Sequence, residues 1–398
     1  MAAEQRGHLG DSRSVGRATF LELFLDLVYV FALTRLSQRL TDDFTVSRRT
    51  MLSELGQTSL VLLALWQVWL FHAWATSRFD PRRIEIQLLT VATMFGAMIM
   101  AVSLPQAFGD RGEIFAVTFV ALQFGRSAFL ALALRGHHRQ PSTVRILFWV
   151  ALSSAFWIAG ALTGGLGRGL CWTAGVVLDF VGAALRWPTP GLGRSDARSW
   201  GVGSTHLAER YQQILLIAVG EAILLIGFVL SNVGFAIERT TTFVAAFVVT
   251  VLFWRIYFYQ AGRPLADALA QATDPLRFSR AAGYTHLMML CGILTTVVGY
   301  ALVIADPFQP RDFSWLGLIL GGPVLFLLGR IWYEREVFGR VARSRWFGLL
   351  GYALLTPVAV VVPLLAVPLL ATAVLAGVVV ADAVRDRGHL LIEPNPPL

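Results

Sequence analysis

The chain of 398 residues is 56% hydrophobic and only 15% charged, with a mean hydropathy of +0.63, too apolar for a soluble protein that must cover its surface with charge. Its formal charge of +8 comes with 33 basic residues, every one an arginine. These lie in short loops between apolar runs, which argues for membrane topology and against a nucleic-acid partner. Two cysteines, Cys171 and Cys291, both inside apolar stretches, make neither a disulfide framework nor a zinc pattern; no metal or other cofactor is expected.

The first 18 residues are polar and hold no apolar core. No cleavable signal peptide is therefore expected, and the first span should direct insertion. Apolar stretches of bilayer-crossing length then follow at about 19–36, 53–75, 86–105, 113–134, 144–163, 169–186, 207–230, 241–260, 281–304, 314–333, 346–366 and 367–383. The expected fold is an all-α polytopic bundle of about 12 spans. In the last two stretches, Pro363 and Pro368 either mark a tight turn or kink one long helix. With the N-terminus inside, alternate loops hold 21 arginines inside and 8 outside, so both termini are expected in the cytoplasm of a bacterial cell membrane. The outside arginines are Arg35, Arg39, Arg48, Arg49, Arg111, Arg168, Arg239 and Arg311.

The chain also reads as duplicated. Trp66–Phe71 resembles Trp254–Tyr259, Gly125-Arg126 recurs as Gly329-Arg330, and Ala174–Val177 recurs as Ala376–Val379, at offsets of 188, 204 and 202. Each match joins corresponding spans of a six-plus-six parallel repeat, whose pseudo-axis would run along the membrane normal. The expected layout is a cytoplasmic tail (1–18), a first six-helix half (19–186), a cytoplasmic linker (187–206), a second six-helix half (207–383) and a cytoplasmic tail (384–398).

Several charges lie where lipid surrounds the chain. Glu22 and Asp26, at i and i+4, share one face of span 1. Arg126, Asp179, Glu221, Arg255, His286 and Arg330 lie in spans 4, 6, 7, 8, 9 and 10, and Glu209-Arg210 opens span 7. A charge near the bilayer centre costs about 2.5–3.5 kcal/mol, so these groups should face the interior and pair. Glu22, Asp26 and Glu221 are the candidate ion or transport sites, because an intramembrane carboxylate binds protons or cations by default. Arg126, Arg330, Arg255, Glu209, Arg210, Asp179 and His286 are candidate pairing residues. Arg126 and Arg330 suit register-fixing ion pairs as well as function, and His286 reads as a polar side chain satisfied between helices. Arg126 or Arg330 is expected to reach one of Glu22, Asp26 and Glu221.

The segment Thr19-Phe-Leu-Glu22-Leu-Phe-Leu-Asp26-Leu-Val-Tyr-Val-Phe-Ala-Leu-Thr34 resembles the opening signature of the bacterial low temperature requirement protein A (LtrA) family. A second block agrees: His206-Leu-Ala-Glu209-Arg210-Tyr211, then Ala218-Val-Gly-Glu221-Ala222-Ile-Leu224, with Ala222 where the family usually has Ser. The resemblance implies a multi-spanning bacterial membrane protein. Phe24-Leu25-Asp26, with Ala32 and Thr34 beyond it, also looks like the first-helix Phe-Ser-Asp motif of a potassium channel family built from two six-helix repeats; Leu25 replaces the Ser, and Glu221 lacks the motif around it. Within this chain, pairing Asp26 with Glu221 gives an offset of 195 and pairing Glu22 with Glu209 gives 187; both registers stay open.

Three functions are weighed: a cation- or proton-coupled transporter or channel, a non-catalytic membrane adaptation or structural protein, and a membrane enzyme. No zinc-protease His-Glu pair and no Gly-x-Ser-x-Gly elbow is present, so no enzyme is expected. The expected partners are the lipid bilayer and a small cation or proton. The oligomeric state is not encoded in any motif.

Overall fold

A computed structural model of the protein describes residues 17–45, 48–196, 203–259, 262–310 and 312–386. Among them there are thirteen α-helices and no strand: α1 (Phe20–Asp43), α2 (Arg48–Arg78), α3 (Ile84–Ser103), α4 (Gly112–Ala133), α5 (Gln140–Leu162), α6 (Gly165–Ala184), α7 (Ser204–Val233), α8 (Ile237–Phe258), α9 (Gly262–Gln271), α10 (Pro275–Ala305), α11 (Phe313–Phe338), α12 (Arg343–Val361) and α13 (Ala366–Asp386). Each expected span centres on one long helix, although 346–366 runs past the end of α12 into the turn before α13. Only α9, of 10 residues, is new. Eleven helices, α2–α8 and α10–α13, are long and apolar enough to cross a membrane. The remaining long helix, α1, has 24 residues and carries Glu22, Asp26, Arg35 and Arg39.

The proline question at 363 and 368 resolves as a turn. α12 ends at Val361, Pro363 lies in the connection, and Pro368 sits in the first turn of α13, where a missing N–H costs little. The helices return antiparallel: Tyr352 donates to the Ala371 carbonyl at 2.8 Å, and Ser344 donates to the Asp382 carboxylate at 2.5 Å.

The chain divides into two compact units, one of residues 1–39, 47–207 and 274–276, the other of residues 40–46, 208–273 and 277–398. In the first, α2 packs on α3, α4 and α6, and α3 through α6 pack in sequence. Glycines set the closest approach. A side chain at Gly160 would strike Trp172, and one at Gly175 would come within 2.8 Å of Trp157. The two indoles stack at 5.0 Å, joined by Phe119 at 4.2 Å from Trp157. In the second unit, α8 packs on α13, and α11 on α12, α13 and α9. Here α10 and α11 meet almost backbone to backbone: a Cβ on Gly292 would lie 2.5 Å from the Phe326 nitrogen, and one on Gly322 would lie 2.5 Å from the Thr296 nitrogen. Small residues at such crossings let dispersion contacts and backbone approach do what the hydrophobic effect cannot do in lipid.

Four arginines expected in outside loops instead close helix ends. Arg39 donates to the Leu104 and Pro105 carbonyls at 3.1 and 3.0 Å, and also to Thr58 and Gln57 at 2.9 Å each. Arg168 donates to Gly160, Thr163, Ala107 and Gly109 at 2.7–3.2 Å. Arg111 reaches the Val102 carbonyl at 3.0 Å, and Arg239 reaches that of Val233. The last carbonyls of a helix have no partner within it, and a guanidinium supplies several donors and a favourable charge at that pole.

Candidate functional site

Glu22 is built into the start of α1. Thr19 precedes the helix, and its hydroxyl accepts from the Glu22 N–H at 3.4 Å. The Glu22 Oε2 accepts from the Thr19 N–H at 2.9 Å and the Thr19 hydroxyl at 3.0 Å. This is the Thr-x-x-Glu capping box, which satisfies two helix-end donors at once. The same oxygen faces the His206 Nε2 at 3.0 Å, with the two side chains 0% and 1% exposed. On its far side the His206 Nδ1 lies 2.9 Å from the Ser77 hydroxyl, which is also 2.7 Å from the Ala73 carbonyl. The Gly203 N–H donates to the Ser77 carbonyl at 2.7 Å. The entry into α7 is thus tied to the end of α2 and the start of α1.

This chain of groups can be written with His206 neutral or protonated, and the Ser77 hydroxyl, with one proton to give, bonds the Ala73 carbonyl only in the second. With His206 neutral, Nε2–H donates to Glu22 and Nδ1 accepts from the Ser77 hydroxyl. With His206 protonated, Nδ1–H donates to Ser77, whose hydroxyl turns to the Ala73 carbonyl. Asp26 lies one turn along α1 and is 5% exposed.

Arg126, on α4 in the same unit, is 4% exposed. Its Nη2 donates to the Gln123 side chain, and its guanidinium stands 5.3 Å from the Phe71 ring centre. Asp179 on α6 acts on it electrostatically without an ion-pair contact. Among the described residues Arg126 makes no direct ion pair with Glu22 or Asp26; it sits among α2, α4 and α6, and Asp179 is the acid that acts on it.

In the second unit Arg330 is likewise paired by a group the sequence reading passed over. Its Nε donates to Glu334 Oε1 at 3.0 Å, one turn on along α11. Glu334 also accepts from the Arg345 Nε at 3.0 Å and the Ala342 N–H at 3.0 Å, and Arg345 reaches Asp382 at 2.7 Å. The i, i+4 spacing of Arg330 and Glu334 was the legible signal. The spacing of Arg345 and Asp382 carries none, because their meeting depends on the α12–α13 turn.

His286 has the role expected of it. It is fully buried, with Nδ1 2.6 Å from the Ala282 carbonyl and Nε2 2.8 Å from the Tyr257 hydroxyl, and its ring stacks on Tyr211 at 4.6 Å. A backbone carbonyl can only accept, so Nδ1 carries a proton, and the Tyr257 hydroxyl bonds Nε2 on the other side of the ring. Glu221 is 0% exposed on α7. Arg210, also 0% exposed, donates to Gln213 at 2.7 Å, while Glu209 is half-buried. Arg255 is half-buried with its guanidinium 3.2 Å from the Tyr259 ring centre. No group of three or more metal-ligating side chains occurs among the described residues.

No solved structure matches the chain. A protein of Rhizobium meliloti (strain 1021) described as uncharacterized, RA0937, is 35% identical over 357 residues, covering 88% of this chain and 84% of that one. The pattern of the bacterial low temperature requirement A protein matches residues 17–380, which takes in the capping box, His206, Glu221, Arg126 and Arg330. With that match over nearly its whole length, this multi-helical membrane protein belongs to the LtrA family.

Proposed function

We propose that the protein moves a proton or small cation across the bacterial cell membrane, as a coupled carrier or a channel, and that Asp26 and Glu221 are the carboxylates on which transport depends. The observation that carries this reading is the buried carboxylate–imidazole–hydroxyl chain from Glu22 through His206 to Ser77. Carboxylate and imidazole chains inside membrane helices are the usual proton relays. Asp26 shares its helix face with Glu22, and Glu221 is fully buried within the apolar run of α7. The reading includes no catalysed bond chemistry. It takes the bilayer and the transported ion as partners, and it places both termini in the cytoplasm.

The proposal also includes a parallel six-plus-six repeat. Its support is local: Gly96 packs against Leu122 in α3–α4, and Gly292 packs against Phe326 in α10–α11, at chain offsets of 196 and 204.

The opposing reading, a packing or adaptation protein with no cargo, draws on the capping-box role of Glu22. The two separate in paired measurements on reconstituted protein. Asp26→Asn and Glu221→Gln should each abolish proton- or cation-dependent flux in liposomes while leaving the melting temperature in detergent nearly unchanged. Flux intact in both variants removes these carboxylates from the mechanism. Flux lost in step with stability favours the packing reading.

A further inference from the structure

A cavity of about 40 Å³ opens between α2, α4 and α5, walled by Phe71, Trp74, Phe79, Leu130 and Ile146, with the guanidiniums of Arg78 and Arg126 on its lining. That volume holds about three water-sized centres, the size of one carboxylate group. The lining contains no acid. Its hydroxyls, Ser127 and Thr143, donate to the carbonyls of Gln123 and Gln140 at 2.8 Å each, so the donors left to a ligand are guanidinium N–H groups. The Arg126 Nη1 is buried with no hydrogen-bond partner. A guanidinium nitrogen kept from both water and protein is costly.

Arg330 in the second unit bonds, through its Nε, the carboxylate of Glu334 four residues on along α11. Four residues on from Arg126 the chain has Leu130, one of the apolar walls of the cavity, so no such carboxylate stands beside Arg126 on its own helix.

We infer that this cavity is a binding site for the carboxylate of an amphipathic acid, the head beside the Arg78 and Arg126 side chains and the apolar body leaving by the open mouth of the cavity. The acid can come from the membrane, as a long-chain fatty acid, or from water, as a short-chain or aromatic acid. A carboxylate fits the space and the bidentate geometry of a guanidinium, and the walls fit an apolar neighbour rather than a hydrated ion.

The test uses the full chain in detergent with hexanoate, benzoate and dodecanoate as probes and hexanol and dodecanol as neutral controls. Trp74 on the wall gives the readout by fluorescence, with melting temperature as a second. The expected result is saturable binding of an acid and at least about tenfold weaker binding of the matching alcohol, because a charge-assisted bond is lost. Dodecanoate alone binding identifies a membrane source; hexanoate or benzoate binding identifies a soluble one. Arg126→Gln should weaken acid binding by about tenfold or more. Leu130→Trp, which fills the space and keeps both arginines, should abolish it and serves if the first variant does not fold. Acid and alcohol binding equally, no saturable binding of any acid, or undiminished binding by either folded variant would overturn the inference.

Discussion

Glu334 and Glu22 are both buried carboxylates that accept several hydrogen bonds, yet they hold different things. Glu334 sits between two arginine guanidiniums and a backbone N–H. Removing it leaves the buried Arg330 without its carboxylate and Arg345 with Asp382 alone, and breaking a buried pair costs about 3–5 kcal/mol. Glu334→Ala should therefore lower the melting temperature sharply or prevent recovery of folded protein. Glu22 accepts from Thr19 and His206, so Glu22→Gln keeps an acceptor for the cap and for a neutral imidazole. Its expected effect is a modest loss of stability, about 1 kcal/mol, with a change in the pH dependence of flux, read in liposomes over pH 5–8. A loss as large as that of Glu334→Ala would mean that His206 is held charged and that Glu22 is its counter-ion.

Between helices, glycine decides which faces touch. Gly321 and Gly322 are neighbours on α11 with opposite surroundings. A Cβ on Gly321 meets nothing within 4 Å, whereas one on Gly322 meets the backbone of Thr296 at 2.5 Å. Gly321→Ala should leave the melting temperature unchanged or raise it slightly, since alanine favours helix by about 1 kcal/mol over glycine. Gly322→Ala has to push α10 and α11 apart and should cost about 1–3 kcal/mol or more. Equal melting temperatures for the two variants would contradict the packing. The same reasoning separates arginines. Arg168→Ala uncovers carbonyls at the ends of two helices, a burial cost of about 1–3 kcal/mol, whereas Arg35, which bonds only its neighbour Gln38, should be replaceable at under about 0.5 kcal/mol. Thermal melts of Arg168→Ala and Arg35→Ala make that comparison.

Across the protein, the arginine distribution predicts the orientation. Reporter fusions at Gly203 and Leu398 should both report the cytoplasm, and a periplasmic signal at either overturns the assignment. Family membership follows from the opening motif, the His206–Glu221 block and a match that covers residues 17–380.

The helices themselves were legible before any coordinates. Span length and hydropathy are properties of consecutive residues, and a bilayer admits almost only helices, so each apolar run near 20 residues could become one thing. The Arg330–Glu334 spacing was equally within reach, because i, i+4 neighbours meet in any helix. The partners of other buried charges were not. His206 reaches Glu22 across 184 residues and Ser77 across 129, and Arg345 meets Asp382 only because the chain turns at Pro363. Those meetings depend on how each helix is rotated and which helices are its neighbours. In lipid as apolar as leucine, hydrophobic patterning does not set that rotation. Glycine contacts, indole stacking and guanidinium-to-carbonyl bonds set it, and these exist only once the helices have packed.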